Sequence, residues 1–433
     1  MSQINANGAV HVYRCESGDE VLSGAYVDDE LVIMNRDGYF EGTEDAAGYV
    51  EMTLDGIPGR QLLSEYFGVL HKPGVALETL AGSSSLAPPR LSAPPTLRRL
   101  AAAGSAEGVR LEASSATGLA YVQLYAAGRQ LRRIDLSGSN AVVAVTESAR
   151  PEFGRITAVA IDTHGIVSSP LSLDVGQSRP GRGAGKLWGL FVGIDSYPLL
   201  PNVCGADGRS PCTLTLAAAD ARRLAHAVGQ SRLYRNHETT LLVDEDASRS
   251  AVLARLDAMV GSAGSEDTIV VSFAGHGLRD DDALRLVLSS TSLDDLAGTS
   301  LAFADVAARL KRSRARVVVL LDVCHAGVSD RLATNDDAVS QLVTASGASM
   351  IILSASKGRQ LSEEDAGSGG GRFSVTIDNI LTKRRSAFDL DGNGAISVAE
   401  LYRGLKAQVV RDSEGRQTPW LSRNLMVGDF DIF

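Results

Sequence analysis

The sequence predicts an α/β fold from about residue 187 onward, a mainly parallel sheet flanked by helices, preceded by small β-rich domains. Three observations predict it. The apolar runs at 267–277 and 316–327 are short, rich in β-branched residues and bounded by glycine, as are strands buried on both faces. Around them strand-like runs alternate with amphipathic stretches, and repeated βα units imply parallel pairing. Before residue 176 the pattern changes to short β-like bursts separated by turn residues.

In chain order, 1–85 is a β-rich N-terminal segment, with bursts at 10–13 and 30–34 and an apolar helical piece at 62–70. Residues 86–96, Leu-Ala-Pro-Pro-Arg-Leu-Ser-Ala-Pro-Pro-Thr, read as a Pro-rich extended linker. The bursts of 97–176 fall at 109–113, 120–125, 142–146, 156–161 and 170–175, with a Gly-centred hairpin after the second. Short strands at such intervals suggest an immunoglobulin-like sandwich. Residues 177–186, rich in Gly, Arg, Ser and Pro, form a flexible joint. In 187–433 strands are expected at 187–194, 239–243, 267–276, 316–324 and 350–354, with a last edge strand at 426–432. Helices are expected at 214–228, 248–260 with Ser248 as N-cap, and 303–311, and a hairpin excursion at 284–289.

The length of 433 residues suits two or three domains. A net charge of −10 argues against a nucleic-acid footprint and suits contact with basic peptides. No apolar run reaches the ~18 residues of a membrane helix. The first residues lack the charged and apolar regions of a signal peptide. The four cysteines, Cys15, Cys204, Cys212 and Cys324, are few and irregularly spaced, as in a reducing compartment. Together these predict a cytoplasmic protein. Cys204 and Cys212 flank a Gly/Asp/Arg/Ser/Pro loop and would pair only in oxidant.

The chemistry lies where the two apolar runs break. One breaks at His276 between two glycines, the other at Cys324. In open α/β sheets, ligands bind just past the carboxyl ends of strands. If these strands are neighbours, ~4.8 Å apart, an imidazole meets a thiol, which is a nucleophile with its base. Taken singly, each residue reads as a buried structural cysteine or a loop histidine. His325 is a decoy, since adjacent residues at a strand end point apart.

Phe273-Ala-Gly-His-Gly277 and Asp322-Val-Cys-His-Ala-Gly327 resemble the paired motifs of the caspase-like cysteine peptidases, in the metacaspase and bacterial orthocaspase branch. The resemblance spans roughly 187–433 and implies a caspase-like fold. The 48-residue separation of His276 and Cys324 fits the family's spacing of about 50. By this resemblance Cys324 is the nucleophile, His276 the base, and the backbone N–H groups of Gly277 and Cys324 the oxyanion donors. Asp322 lines the pocket for an Arg or Lys before the scissile bond. Asp220, in Ala219-Asp220-Ala221 where the family has Asn-Asp-Ala, is the second carboxylate. Two carboxylates suit a guanidinium and exclude an acidic side chain. Caspases that cut after Asp have Arg in that pocket and lack the aspartate of position 322.

The stretch 389–400, Asp-Leu-Asp-Gly-Asn-Gly-Ala-Ile-Ser-Val-Ala-Glu, matches the calcium loop of an EF-hand. Asp389, Asp391 and Asn393 would supply oxygens, Ala395 its carbonyl, Ser397 a water-mediated contact and Glu400 a bidentate carboxylate, with Ca2+ as the cofactor. Arg331, in a polar stretch beyond the nucleophile, is a candidate self-cleavage site. The expected function is a cysteine endopeptidase acting on protein substrates with a basic residue before the cut, calcium-dependent and activated by processing or an upstream activator. The competing reading is a catalytically silent interaction module, against which the intact Cys324 and His276 weigh.

Overall fold

The computed structural model describes residues 2–433 except 5–8, 28–29, 73, 83–85, 88, 101–108, 127, 147–154, 175–184, 204–211, 281–282, 326–349, 357–363, 366–368 and 424–428. The chain packs as two units, Met1–Arg179 and Pro180–Arg423 with Asp429–Phe433.

The first unit is mostly β, with short helical turns at Leu63–Tyr66, Phe67–Leu70 and Val75–Leu80. An antiparallel meander of five strands from Ser2–Ile4 to Phe40–Glu41 packs around Phe40, Leu63, Tyr66, Phe67 and Leu70. The Pro-rich segment is held to this part: the Tyr39 and Tyr66 hydroxyls donate to the carbonyls of Ala87 and Ser92 at 3.0 and 2.9 Å. Seven antiparallel strands then form sheets of three and four, from Thr96–Arg99 to Leu171–Asp174. Alternate residues of both sheets, among them Leu111, Val122, Leu124, Val145 and Ile156, make one core, as period-2 patterning dictates. Glu65 ties the meander to these sheets, its carbonyl accepting the Val167 N–H and its carboxylate the Ser169 hydroxyl.

The second unit is built on a mixed sheet. Its strands are β1 (Lys186–Gly193), β2 (Asn236–Val243), β3 (Thr268–Asp280), β4 (Ala283–Leu286), β5 (Arg316–His325), β6 (Met350–Ser354) and β7 (Trp420–Arg423). The main order is β2-β1-β3-β5-β6-β7. Pairing is parallel through β6 and antiparallel for β7. The helices are α1 (Ala217–Gly229), α2 (Arg249–Ser262), α3 (Phe303–Leu310), α4 (Arg372–Asp378) and α5 (Val398–Asp412). Strands covered on both faces need no polar alternation, which is why β1 reads Leu-Trp-Gly-Leu-Phe-Val without a break.

One face of the sheet, with Leu190, Val192, Val271 and Val319, packs on Val252, Leu256 and Met259 of α2 and Phe303, Val306 and Leu310 of α3. The residues between them, such as Phe191, Val270 and Val318, are equally buried and face the opposite side. Helix α4 packs against both α1 and α5, and α1 packs against β1 and β2. Helix α1 buries Ala217, Ala221, Leu224 and Val228, a single stripe at helical spacing. Helix α2 begins as expected, with Ser248 Oγ accepting the Ala251 N–H at 3.2 Å.

Several boundaries differ from the sequence reading. Strand β3 continues past His276 to Asp280 because β4 returns antiparallel to it, pairing Gly277 with Leu286. Helix α1 starts three residues later than 214. The last sheet strand is Trp420–Arg423 and not 426–432: residues 424–428 lie outside the described residues, and 430–433 bond instead to Ile396 and Val398. Period-2 apolarity locates a strand but not its partner. The joint at 177–186 falls almost wholly outside the described residues.

Phe191 is fully buried on central strand β1. Phe191→Ala should cost about 3–5 kcal/mol of stability, measured by denaturant unfolding of the purified chain.

Candidate active site

The parallel register of β3 and β5 runs from Thr268 opposite Arg316 to His276 opposite Cys324 and Gly277 opposite His325. His276 and Cys324 are thus neighbours across adjacent strands, whose spacing is ~4.8 Å. For Cys324 and His325 the backbone is described; their side chains lie outside the described residues. The extension of β3 beyond His276 pairs Gly277 with β4, so the site sits inside the sheet margin and His276 is 5% exposed.

Backbone and aromatic contacts hold the His276 ring. Its Nε2–H donates to the Cys212 carbonyl at 2.7 Å. A carbonyl only accepts, so the neutral ring carries its lone pair on Nδ1. The Tyr197 ring lies 4.7 Å away, tilted by 37°. Its hydroxyl accepts the His276 N–H and donates to the Ile194 carbonyl, each at 2.9 Å. Gly275 makes this approach feasible: its φ is +151°, and a Cβ there would stand 2.7 Å from Tyr197 Oη.

Sequence reasoning missed Tyr197 and the Cys212 carbonyl. An aromatic hydroxyl bonded to backbone has no spacing signature, and any residue type supplies a carbonyl. Cys212 is disulfide-bonded, which differs from the fully reduced state a reducing compartment implies; Cys204 lies outside the described residues. Asp195 and Asp244 were missed as well. Asp244, at φ +45°, accepts the N–H groups of Asp195 and Ser196 at 2.8 and 2.9 Å. Asp195 in turn accepts those of Ala217 and Ala218, satisfying donors that open α1. Leu216 at its N-cap offers no side-chain oxygen.

The register and α1 together bring Asp220 and Asp322 to one place. Both are buried, 3% and 6% exposed. A Cβ at Gly371 would stand 2.9 Å from Asp220 Oδ2 and 3.1 Å from Asp322 Oδ2, so the two carboxylates converge on that glycine. Asp220 accepts from the Gly371 N–H and Arg223 Nη1 at 2.8 and 2.9 Å, and from the Ser374 hydroxyl.

The model of the caspase domain, peptidase family C14, matches residues 187–430, more than half of the chain. The chain belongs to the caspase-domain family. No curated protein matches it in sequence. Among solved structures, protein GSU0716 from Geobacter sulfurreducens is 18% identical, covering 55% of this chain and 94% of its own at a TM-score of 0.37. The Drosophila initiator caspase Dronc is 12% identical, covering 59% and 85% at a TM-score of 0.34. The family assignment rests on the sequence match.

Within this caspase domain, the loop at 389–400 brings ligand atoms of Asp389, Asp391 and Glu400 within 4.8 Å of one another. Gly392 and Gly394 take φ of +71° and +81° to turn it. Asp389 Oδ1 is buried with no hydrogen-bond partner among the described residues, so the donor set suits a hard cation. Ser397 caps α5 by accepting the Glu400 N–H at 3.2 Å, and Glu400 accepts the Ser397 N–H. Residues 432–433 bond to this loop, with the Ile396 N–H donating to the Phe433 carbonyl at 2.7 Å and the Ile396 carbonyl accepting from the Ile432 N–H at 2.9 Å. This brings Asp431, absent from the sequence reading, to Asn393 at 3.2 Å. Burial first, then Asp391, Glu400 and Asp429, pushes the Asp431 pKa up, against the Asn393 bond. No helix among the described residues is long and apolar enough to cross a membrane. Arg331 lies outside the described residues.

Gly275→Ala should destabilise the domain by about 1–3 kcal/mol, the order of backbone strain at such a φ, with the Tyr197 hydroxyl displaced. Chemical denaturation beside Tyr197→Phe, which removes the hydroxyl without strain, checks both parts.

Proposed function

We propose that this caspase-domain protein, of metacaspase or orthocaspase type, is a cysteine endopeptidase cutting after Arg or Lys. The observation that carries the reading is the register setting His276 opposite Cys324, with the His276 Nε2–H held on the Cys212 carbonyl. That bond leaves Nδ1 as the base. Nδ1 takes the thiol proton of Cys324, and the thiolate attacks the scissile carbonyl carbon. The carbonyl oxygen gains the charge and is met by the backbone N–H groups of Gly277 and Cys324. The imidazolium returns the proton to the departing amine. Water, deprotonated by the same ring, then releases the acid and restores the thiol.

Asp322 and Asp220 form the floor for the basic side chain. Asp322 lies two residues before Cys324 along β5, on the same strand face. Residues 97–176 are read as an immunoglobulin-like sandwich, with its seven strands in two sheets as the support. Calcium bound at Asp389, Asp391, Asn393, the Ala395 carbonyl, Ser397 through water and Glu400 would tie the loop and the chain end together. It would thereby order the C-terminal part without entering the reaction. Processing at Arg331 suits the enzyme's own preference and frees the chain beyond the nucleophile.

Cys324→Ala and His276→Ala should each abolish hydrolysis of an Arg-based fluorogenic peptide in folded protein, while His325→Ala retains most of it. Asp322→Ala should lose basic substrates by a factor of about 100 or more, since breaking a buried charge pair costs ~3–5 kcal/mol. Efficient cleavage after Asp would sink the specificity. A folded protein that cleaves no peptide and resists thiol alkylators would be the silent module instead. Intact mass before and after incubation reports any cut at Arg331.

Calorimetry should show calcium uptake that Glu400→Ala or Asp389→Ala removes and Asp431→Asn weakens. Absence of uptake at millimolar calcium would refute the site.

A further inference from the structure

Asp220 has an internal cation, and the reaction scheme above gives that cation no role. Arg223 lies one turn along α1 and is bonded in two directions. Its Nη1 donates to Asp220 Oδ1 at 2.9 Å, and its Nη2 to the Gly369 carbonyl at 2.8 Å. Its side chain is 23% exposed, against 5% for that of Asp220. The guanidinium lies flush on the wall of the pocket: a Cβ at Gly370 would stand 1.8 Å from Arg223 Nη1 and 2.6 Å from Asp220 Oδ1. The next residue, Gly371, is the one on which the Asp220 and Asp322 carboxylates converge. Glycine at both positions is therefore a steric requirement of placing a guanidinium and two carboxylates around one backbone segment.

Two buried carboxylates this close repel one another. A fixed guanidinium on Asp220 offsets part of that repulsion, and the Ser374 hydroxyl and Gly371 N–H complete its donors. The bond to Gly369 also holds the wall and the carboxylate in one geometry, which lowers the cost of ordering them when a ligand arrives.

We propose that Arg223 is a positioning residue for substrate recognition: it offsets the charge of Asp220 and fixes that carboxylate, with the 369–371 wall, beside Asp322. The proposal rests on the basic-side-chain reading of the pocket. It assigns Arg223 no contact with substrate.

The test is steady-state kinetics on an Arg-based peptide with the full chain and three variants: R223Q, R223K and the double variant D220N/R223Q. Thermal unfolding of each runs alongside. R223Q should raise KM about tenfold or more, the order that follows from uncovering a buried carboxylate, with kcat changed far less. R223K, which keeps the charge and loses the fork, should recover part of the loss. D220N/R223Q removes both charges, so it should unfold at a higher temperature than R223Q alone, a non-additive outcome.

An active enzyme in which R223Q leaves KM unchanged, or lowers it, overturns the inference; the latter would make Arg223 a plug that substrate displaces. A double variant no more stable than R223Q also overturns it, reducing Arg223 to a brace on Gly369. If R223Q does not fold, the double variant decides: recovery of the fold supports charge offset, and failure to fold refutes it. An unsubstituted enzyme that cleaves peptides but not after Arg or Lys overturns the pocket reading and this inference together, a result distinct from all the others.

Discussion

The parallel pairing of Thr268–Gly277 with Arg316–His325 is the interaction on which the site depends. Ten register pairs lock these strands, and both are buried on two faces, so a slip of one residue would move every side chain to the wrong layer. The same ladder that builds the core therefore sets His276 against Cys324. It also sets Asp322 two residues before Cys324 on the same strand. Stability and the placement of these residues share one set of hydrogen bonds.

Beyond the ladder, the carboxyl edge of the sheet is organised by polar side chains acting on backbone. Asp244 holds the turn after β1, Asp195 holds the start of α1, and Asp220 on that helix holds Gly371. Each step satisfies an N–H that a strand end or helix start would leave open. Tyr197 does the same for His276 from one side and the Cys212 carbonyl from the other. The imidazole is fixed by neighbours whose identities matter less than their positions, and the Cys212 carbonyl sets its neutral tautomer.

The acidic loop at 389–400 is held by backbone bonds between Ile396 and residues 432–433. The arrangement adds Asp431 to an already acidic cluster, and burial first, then the neighbouring carboxylates, push its pKa up.

Much of this was legible in the sequence because its signals are local. Unbroken β-branched runs announced buried parallel strands, the stripe of α1 announced one buried face, and the break of two runs at His276 and Cys324 announced the pair. The clustering of Asp389, Asp391 and Glu400 was legible for the same reason, since these carboxylates recur at fixed offsets within twelve residues. The tertiary structure decided what depends on distant backbone. It set which carbonyl and hydroxyl hold His276, where the chain end pairs after Arg423, and how Arg223 meets Asp220 against Gly370. A carbonyl or N–H is present at nearly every residue, so no residue type marks the one that is used. Only the packing of elements far apart in the chain selects it.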